Sequence, residues 1–582
     1  MDYFVCNSTG DDANKGTSDT PFKTIHAASQ VAKAGDTIHV QPGIYRERVT
    51  PLEGGLRDKP LTYRSVVKHG AIVRGSDVWT PTSIENNIAQ GPVDDAFFPD
   101  QSHKNGGNPF AIKLCVTPYG REGFPETKIK SVENADPNMH YCLGQVFVSD
   151  TMYKQCPYKT EMEETTNSWY YDTESKTLFI NGVADGQTIE ITNQRRLFAP
   201  HKRNLRNINI DGFIFERCGN QYPNRFWVVA DQAQAGAIGT RCGKFWKISN
   251  NIIRYANGIG IDWGNEGKRS QDLETGNNGE AMGTYGHVIS NNIISNNGAA
   301  GTAAFMANKF IFSNNIVEYN NNLHFQGKQR WESGGLKTHR PNNSIVRNNI
   351  IRNNYCHGLW SDQGAGKNCT IENNYFINNN GSGCEFEIGV NMTSKVVNNI
   401  FKDNKYGVRF STSGGVLVAH NLFLKSSECD IETHIFKRGD KWDSKNVEVY
   451  YNTFIDAPEY IHINCPNTNP DTLCSRFFNY NTYVMEPTEE KFHIKVSWKN
   501  KANYDMKGWQ EKMLTYNGEN ADEHSQLISS YGDVSDVYSI CENPAKMPVF
   551  TMNRDKMGSH KDFASKIWDQ NNHISGPFVQ SE

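Results

Sequence analysis

Short apolar stretches led by asparagine recur along the middle of the chain. They read "SNNII" at 249 and 290, "SNNIV" at 313, "RNNII" at 347, "ENNYF" at 372, "NNIF" at 398, "HNLF" at 420 and "YNTF" at 451. With Asn251, Asn292, Asn315, Asn349, Asn374, Asn399, Asn421 and Asn452 as markers, the steps are 41, 23, 34, 25, 25, 22 and 31 residues. Steps of 22 to 25 form the basic unit, and longer steps are the same unit carrying a loop. Such a period, built from β-prone triplets and polar turns, marks a stacked solenoid. Asparagine, glycine and β-branched residues disfavour helical repeats, and the leucine spacing of a leucine-rich repeat is missing. The pattern predicts an all-β chain folded as a right-handed parallel β-helix. Its turn asparagines take left-handed φ and bond the next asparagine along the stack. "INIDGFIFERCG" (208–219) reads as an earlier coil and "FNYNTYV" (478–484) as a last one.

Outside the repeat the periodicity changes. Ile25, Ala28, Val31 and Ala32 recur at helical spacing and end at "AGD", which predicts an N-terminal helix capping the open end of the stack. Residues 79–200 alternate like antiparallel strands around turns ("GQVFVSD", "NSWYYDTESKTLFING") and predict an inserted β-rich subdomain. The expected organisation is a cap and first strands over 1–78, the insert over 79–200, the β-helix core with the site over 201–485, and a flanking segment over 486–582. The flanking segment includes a helix at "MKGWQEKML".

Composition narrows the partners. A net charge of −4 offers no basic field for nucleic acid. The apolar runs all fall well short of a bilayer's thickness, so no membrane span is expected. The chain enters a strand almost at once, without a signal peptide, which leaves cytoplasm and periplasm both open. A homo-oligomer is also left open. Thirty Phe, 25 Tyr and 11 Trp suit a neutral ligand such as a sugar, and equally suit a large core. Thirteen scattered cysteines read as reduced core thiols, with Cys465 and Cys474 the one close pair.

Counting back a dozen positions from Asn349, Asn374, Asn399 and Asn421 gives Lys337, Asp362, Glu387 and Arg409. In a stack these form one column, with neighbouring backbones about 4.8 Å apart. Counting instead from the glycine before each strand keeps Asp362 over Glu387 and shifts Lys337 and Arg409 by two residues. Trp360 and Glu385 share the face by period two. A charged column on an outward face is commonly only solvated. Here His339 and Trp360 accompany the acids, and an outward Trp suggests a platform for a sugar ring. Carboxylates about 5 Å apart match a retaining glycosidase, in which one acid donates the proton and its partner attacks. Lys337 beside Asp362 favours the ionised form, whereas Arg409 beside Glu387 is awkward and points to substrate binding or an orientation away.

The stretches "GTSDTPFKTIHAASQVAKAGDTIHVQPGIYRERV", "ESGGLKTH" (332–339), "GLWSDQGAG" (358–366) and "EFEIGVN" (385–391) resemble, in order, the β-xylosidases of glycoside hydrolase family 120. The similarity runs to about residue 425. It implies a right-handed parallel β-helix enzyme with Asp362 as nucleophile and Glu387 as general acid/base. It also implies that Glu332, Lys337 and His339 line the pocket. Gln363 stands where that family usually has an aromatic, and "IGVN" replaces a His-Gly turn, so the sugar stays open.

Other motifs weigh less. Asp262 in "NGIGIDWGNEG" lies several coils from Asp362, which fits a subsite or a structural role. The loop carrying Glu266, Asp272, Glu274 and Glu280 is a candidate for structural calcium but lacks EF-hand spacing, and no cofactor is required. No HExxH pattern or nucleophile elbow is present. The expected activity is release of a terminal sugar, xylose first, from short oligosaccharides. Its rivals are a β-helix polysaccharide lyase using Lys337 or Arg409 as base, and a non-catalytic carbohydrate-binding solenoid. Aryl glycosides and uronate polymers, read by colour and by ultraviolet absorbance, separate the three.

Overall fold

In a computed structural model, the described residues are 1–98, 107–112, 114, 140–200, 202–220, 236–264, 284–325, 333–362, 367–389, 392–434, 446–464, 476–484, 494–498, 500–517, 521–528, 550–551 and 574–575. The chain divides into two units: Met1–Ala307 with Ile316–Lys337, and Asn308–Asn315 with Thr338–Glu582. Each is built from stacked coils of parallel β-structure.

In the first unit, the strands Asp2–Val5, Thr37–Val40, Leu61–Ser65, Ile208–Asp211, Lys247–Ser249 and Val288–Ser290 pair in parallel order. The helix Ile25–Val31 is capped by Thr24, whose hydroxyl accepts the Ala27 N–H at 3.0 Å. Its buried stripe is Ile25, Ala28 and Ala32, whereas Val31 points to solvent at 42% exposure, so the expected stripe is narrower than the sequence pattern. The coil at 61–74 stacks directly on the coil at 208–216, through Leu61 opposite Ile208 and Ile72 opposite Ile214. The chain between them leaves the stack and forms an eight-stranded, mainly antiparallel sheet from Ser76–Val78 to Ile189–Thr192. A buried ion network ties that sheet to the coils. Glu190 bonds Arg46, Arg74, Arg217 and Ser76, while Glu216 bonds Arg74 and Arg254.

In the second unit the repeat is regular. Asn349, Asn374, Asn399, Asn421, Asn452 and Asn481 form a ladder in which each side-chain carbonyl accepts the backbone and side-chain N–H of the asparagine one coil before. Two residues share the work assigned above to one. The first asparagine of each pair (Asn348, Asn373, Asn398) takes φ of 55 to 57°, and the second makes the ladder. His420, Tyr451 and Tyr480 hold the left-handed position further along and stack at 5.0 and 5.1 Å. A second ladder runs through Asn354, Asn379 and Asn404. Inside, Phe376, Phe401, Phe423, Phe454 and Tyr483 stack face to face at 4.9 to 5.0 Å.

The coil at 478–484 is not the last rung, because Gln526–Ile528 pairs with Thr482–Val484. Ile494–Trp498 pairs in parallel with Ile461–Asn464 and is followed by Asn500–Tyr504 in an antiparallel hairpin, which covers that edge. The helix Met506–Asn517 sets Trp509 in the core, where its indole donates to Asp522 at 2.8 Å. Eight of the nine described cysteines are buried and all nine are unbridged; Cys465 and Cys474 lie outside the described residues. Among the described residues, no helix is long and apolar enough to cross a membrane.

Candidate active site

The candidate site lies on one parallel sheet of the second unit, where strands His357–Asp362, Ser382–Gly389, Tyr406–Ser413 and Cys429–His434 stack. Alternation sends Leu359, Cys384, Val408 and Ile431 inward and their neighbours outward. Glycine is the second residue of three of these strands, at Gly358, Gly383 and Gly407, and Asp430 takes that place in the fourth. A Cβ at Gly383 or Gly407 would fall 2.6 or 2.5 Å from the stacked rings of Phe401 and Phe423, so only glycine lets the strand start there. Leu359 faces Cys384, Trp360 faces Glu385 and Ser361 faces Phe386. The next pair in that register is Asp362 with Glu387, the 25-residue interval of the sequence.

The register corrects two members of the expected column. The backbone N–H of Arg340 bonds the Asp362 carbonyl at 3.0 Å, which sets His339, not Lys337, opposite Asp362. Arg409 faces Glu385, and Ser411 faces Glu387. Counting from asparagine fails where the link after the third strand changes length. Asn374 and Asn399 lie a dozen positions beyond their acids, but Asn421 lies only ten beyond Ser411. Counting from glycine survives because it measures the strand itself. Lys337 lies two residues before His339 and is buried. Glu332 lies outside the described residues, as do Gln363 and the acidic loop at 266–280. Among the described residues, no group of three or more His, Cys, Asp or Glu could hold a metal ion.

Two outward columns therefore run side by side. In one, His339 Nδ1 lies 3.8 Å from Asp362 Oδ2, followed by Glu387 and Ser411. Asp362 is 3% exposed although it faces outward, so its surroundings cover it. Glu387 is half-buried and accepts the Trp360 indole N–H on Oε2 at 3.2 Å. The following residue, Ile388, has φ of 54°, and Thr412, its partner in the next strand, has 55°. A β-branched residue there is strained, and the strain falls directly beside Glu387.

The other column is a charge ladder. Glu385 accepts hydroxyl bonds from Ser382 at 3.0 Å and Ser411 at 2.9 Å, lies 3.1 Å from His357 Nδ1 and 3.7 Å from Arg409. Burial alone would raise its carboxyl, but the His357 and Arg409 charges and the two hydroxyls outweigh it and hold it below the usual range. Arg409 bonds Glu432 and donates to His434 Nδ1 at 2.8 Å. Burial would lower its pKa, yet Glu385 and Glu432 raise it, so it stays a cation. Trp360 is 9% exposed, with its ring 5.0 Å from that of His357. It is not an open sugar platform. Asp262, in the first unit, is buried on the strand Ile259–Asp262.

A family model described as "Right handed beta helix region" matches residues 235–423, and one described as "Protein of unknown function (DUF1565)" matches residues 8–51. The chain is similar to uncharacterized protein YwoF of Bacillus subtilis (strain 168), 34% identical over 77 residues. That match covers 13% of this chain and 16% of the relative's length. Among solved structures it is similar to the complex structure of XylC with xylose, at 19% identity and a TM-score of 0.66 over 91% of this chain and 86% of that one. The GH136 lacto-N-biosidase from Eubacterium ramulus is similar at 13% identity and a TM-score of 0.44, over 77% of this chain and 67% of that one. The XylC likeness agrees with the fold class, a right-handed parallel β-helix.

Proposed function

We propose that the protein is a retaining, exo-acting glycoside hydrolase of the family 120 type, releasing a terminal sugar, xylose first, from short oligosaccharides. The observation that supports this reading is the parallel register of Leu359–Ser361 against Cys384–Phe386, whose continuation by one residue pairs Asp362 with Glu387. Adjacent strands lie about 4.8 Å apart, near the carboxylate separation of retaining enzymes and short of the roughly 6.5–9.5 Å that inverting enzymes need. The xylose named for the XylC structure motivates the choice of sugar. A lyase using Arg409 as base is disfavoured, because two carboxylates keep that guanidinium charged.

Asp362 Oδ attacks the anomeric carbon as the bond to the leaving oxygen breaks, and Glu387 gives that oxygen its proton. Glu387 then takes a proton from water, whose oxygen bonds the anomeric carbon and frees Asp362. Glu387→Gln should slow poor leaving groups far more than activated aryl ones, and added azide should restore turnover as the β-glycosyl azide. Asp362→Asn should be inactive with every leaving group. Equal losses across leaving groups for Glu387→Gln, with no azide product, would remove Glu387 from this role.

A further inference from the structure

We propose that Trp360 is a positioning residue whose indole N–H holds Glu387 Oε2 and so makes Oε1 the oxygen that gives and takes the proton. The inference rests on the reading of Glu387 as the acid/base. The bond measures 3.2 Å and joins diagonal neighbours, since Trp360 faces Glu385 and Glu387 lies two residues further along. An indole N–H donates and never accepts. The oxygen it occupies is therefore the one without the proton when Glu387 is neutral, and the acid hydrogen sits on the other.

The surrounding contacts hold the indole in place. The His357 ring packs on Trp360, His357 Nδ1 lies 3.1 Å from Glu385 Oε2, and Ser382, Ser411 and Arg409 fix Glu385. The charge ladder thus braces the proton-transfer group from behind, which accounts for a buried glutamate two residues from the one that works. The bond also favours ionised Glu387. That form serves the second half of the reaction, when the Asp362 charge has been consumed in the covalent bond.

Among the described residues, the titratable groups around this pair include Asp362 and His357 on the strand before, Glu385 on the same strand, Arg409 on the strand after, and His339 opposite Asp362. All remain in Trp360→Phe, which keeps an aromatic ring against His357 and removes the donor together with the volume of one fused ring. Losing a donor to the ionised form should move the basic limb of the kcat/KM profile up by about one pH unit. It should also lower kcat about tenfold, with KM little changed. A profile that stays in place while activity falls would overturn the proposal. A second measurement needs no turnover. The indole ¹H–¹⁵N resonance that disappears in Trp360→Phe should titrate with pH in the parent protein and lose that titration in Glu387→Gln. An indole signal indifferent to Glu387→Gln would overturn it as well. If no glycoside is cleaved at all, the function reading fails and this titration still decides the contact.

Discussion

Glu385 and Glu387 sit on one strand and face one side, yet their surroundings differ. Glu385 is enclosed by two hydroxyls, a histidine and an arginine, while Glu387 is half-buried and accepts the Trp360 indole N–H. Neutralising Glu385 would take one of two carboxylates from Arg409, which keeps Glu432, and would weaken the acceptor for the Ser382 and Ser411 hydroxyls. We expect Glu385→Gln to cost about 3 kcal/mol of stability, the scale of a broken buried pair, and to keep the parent's leaving-group dependence. Thermal unfolding and a set of aryl xylosides measure both; a changed leaving-group dependence would move the acid/base to Glu385. The sequence carried the opposition of Asp362 and Glu387 because glycine marks the strand start. It did not carry the covered Trp360, since period two gives a side chain's direction and not what packs over it.

At the scale of elements, the asparagine ladder is what makes the coils uniform. Asn374 makes four bonds: Nδ2 donates to Val346 O and Asn399 Oδ1, and Oδ1 accepts both N–H groups of Asn349. Alanine there would strand buried backbone groups on the neighbouring coil, each worth about 1–3 kcal/mol. Asn374→Ala should therefore lower the denaturant midpoint markedly and raise hydrogen exchange in adjacent rungs first, because a solenoid couples neighbours. Exchange that rises evenly along the chain would contradict that. The first ladder was legible as a repeated Asn-Asn pair. The second, five residues on at Asn354, Asn379 and Asn404, repeats at the same 25-residue step and was there to be read. The rung at Gln526–Ile528 was not, because a hairpin and a helix intervene between it and the strand it pairs with.

At the scale of the whole molecule, Glu190 and Glu47 contribute to stability in opposite pH ranges. Burial opposes ionisation of Glu190, yet bonds from Arg46 and Ser76 and the Arg74 charge bring it down to about 2. Its contribution is present above its ordinary value near 4.5 and is lost as pH falls toward 2. Burial pushes Glu47 up to about 7 despite bonds from the Ile25 and His26 N–H groups. Its contribution is present below about 4.5 and is lost as pH rises through 7. Calorimetry should show stability climbing from pH 8 toward 5 and falling below about 4. Glu47→Gln should flatten the upper limb and Glu190→Gln the lower. Unchanged limbs would place the pH dependence elsewhere.

The proposed double displacement requires Asp362 to form a covalent bond to the sugar. Mass spectrometry of the protein after exposure to a 2-deoxy-2-fluoro-β-xylosyl fluoride tests it most directly. The ring fluorine slows both formation and breakdown of the intermediate, and the good leaving group restores only formation, so the adduct accumulates. The expected result is one added fluoroxylosyl mass, carried by the peptide containing Asp362. A label on Glu385 or Glu387 would contradict it, as would hydrolysis that yields the α-anomer first with no adduct.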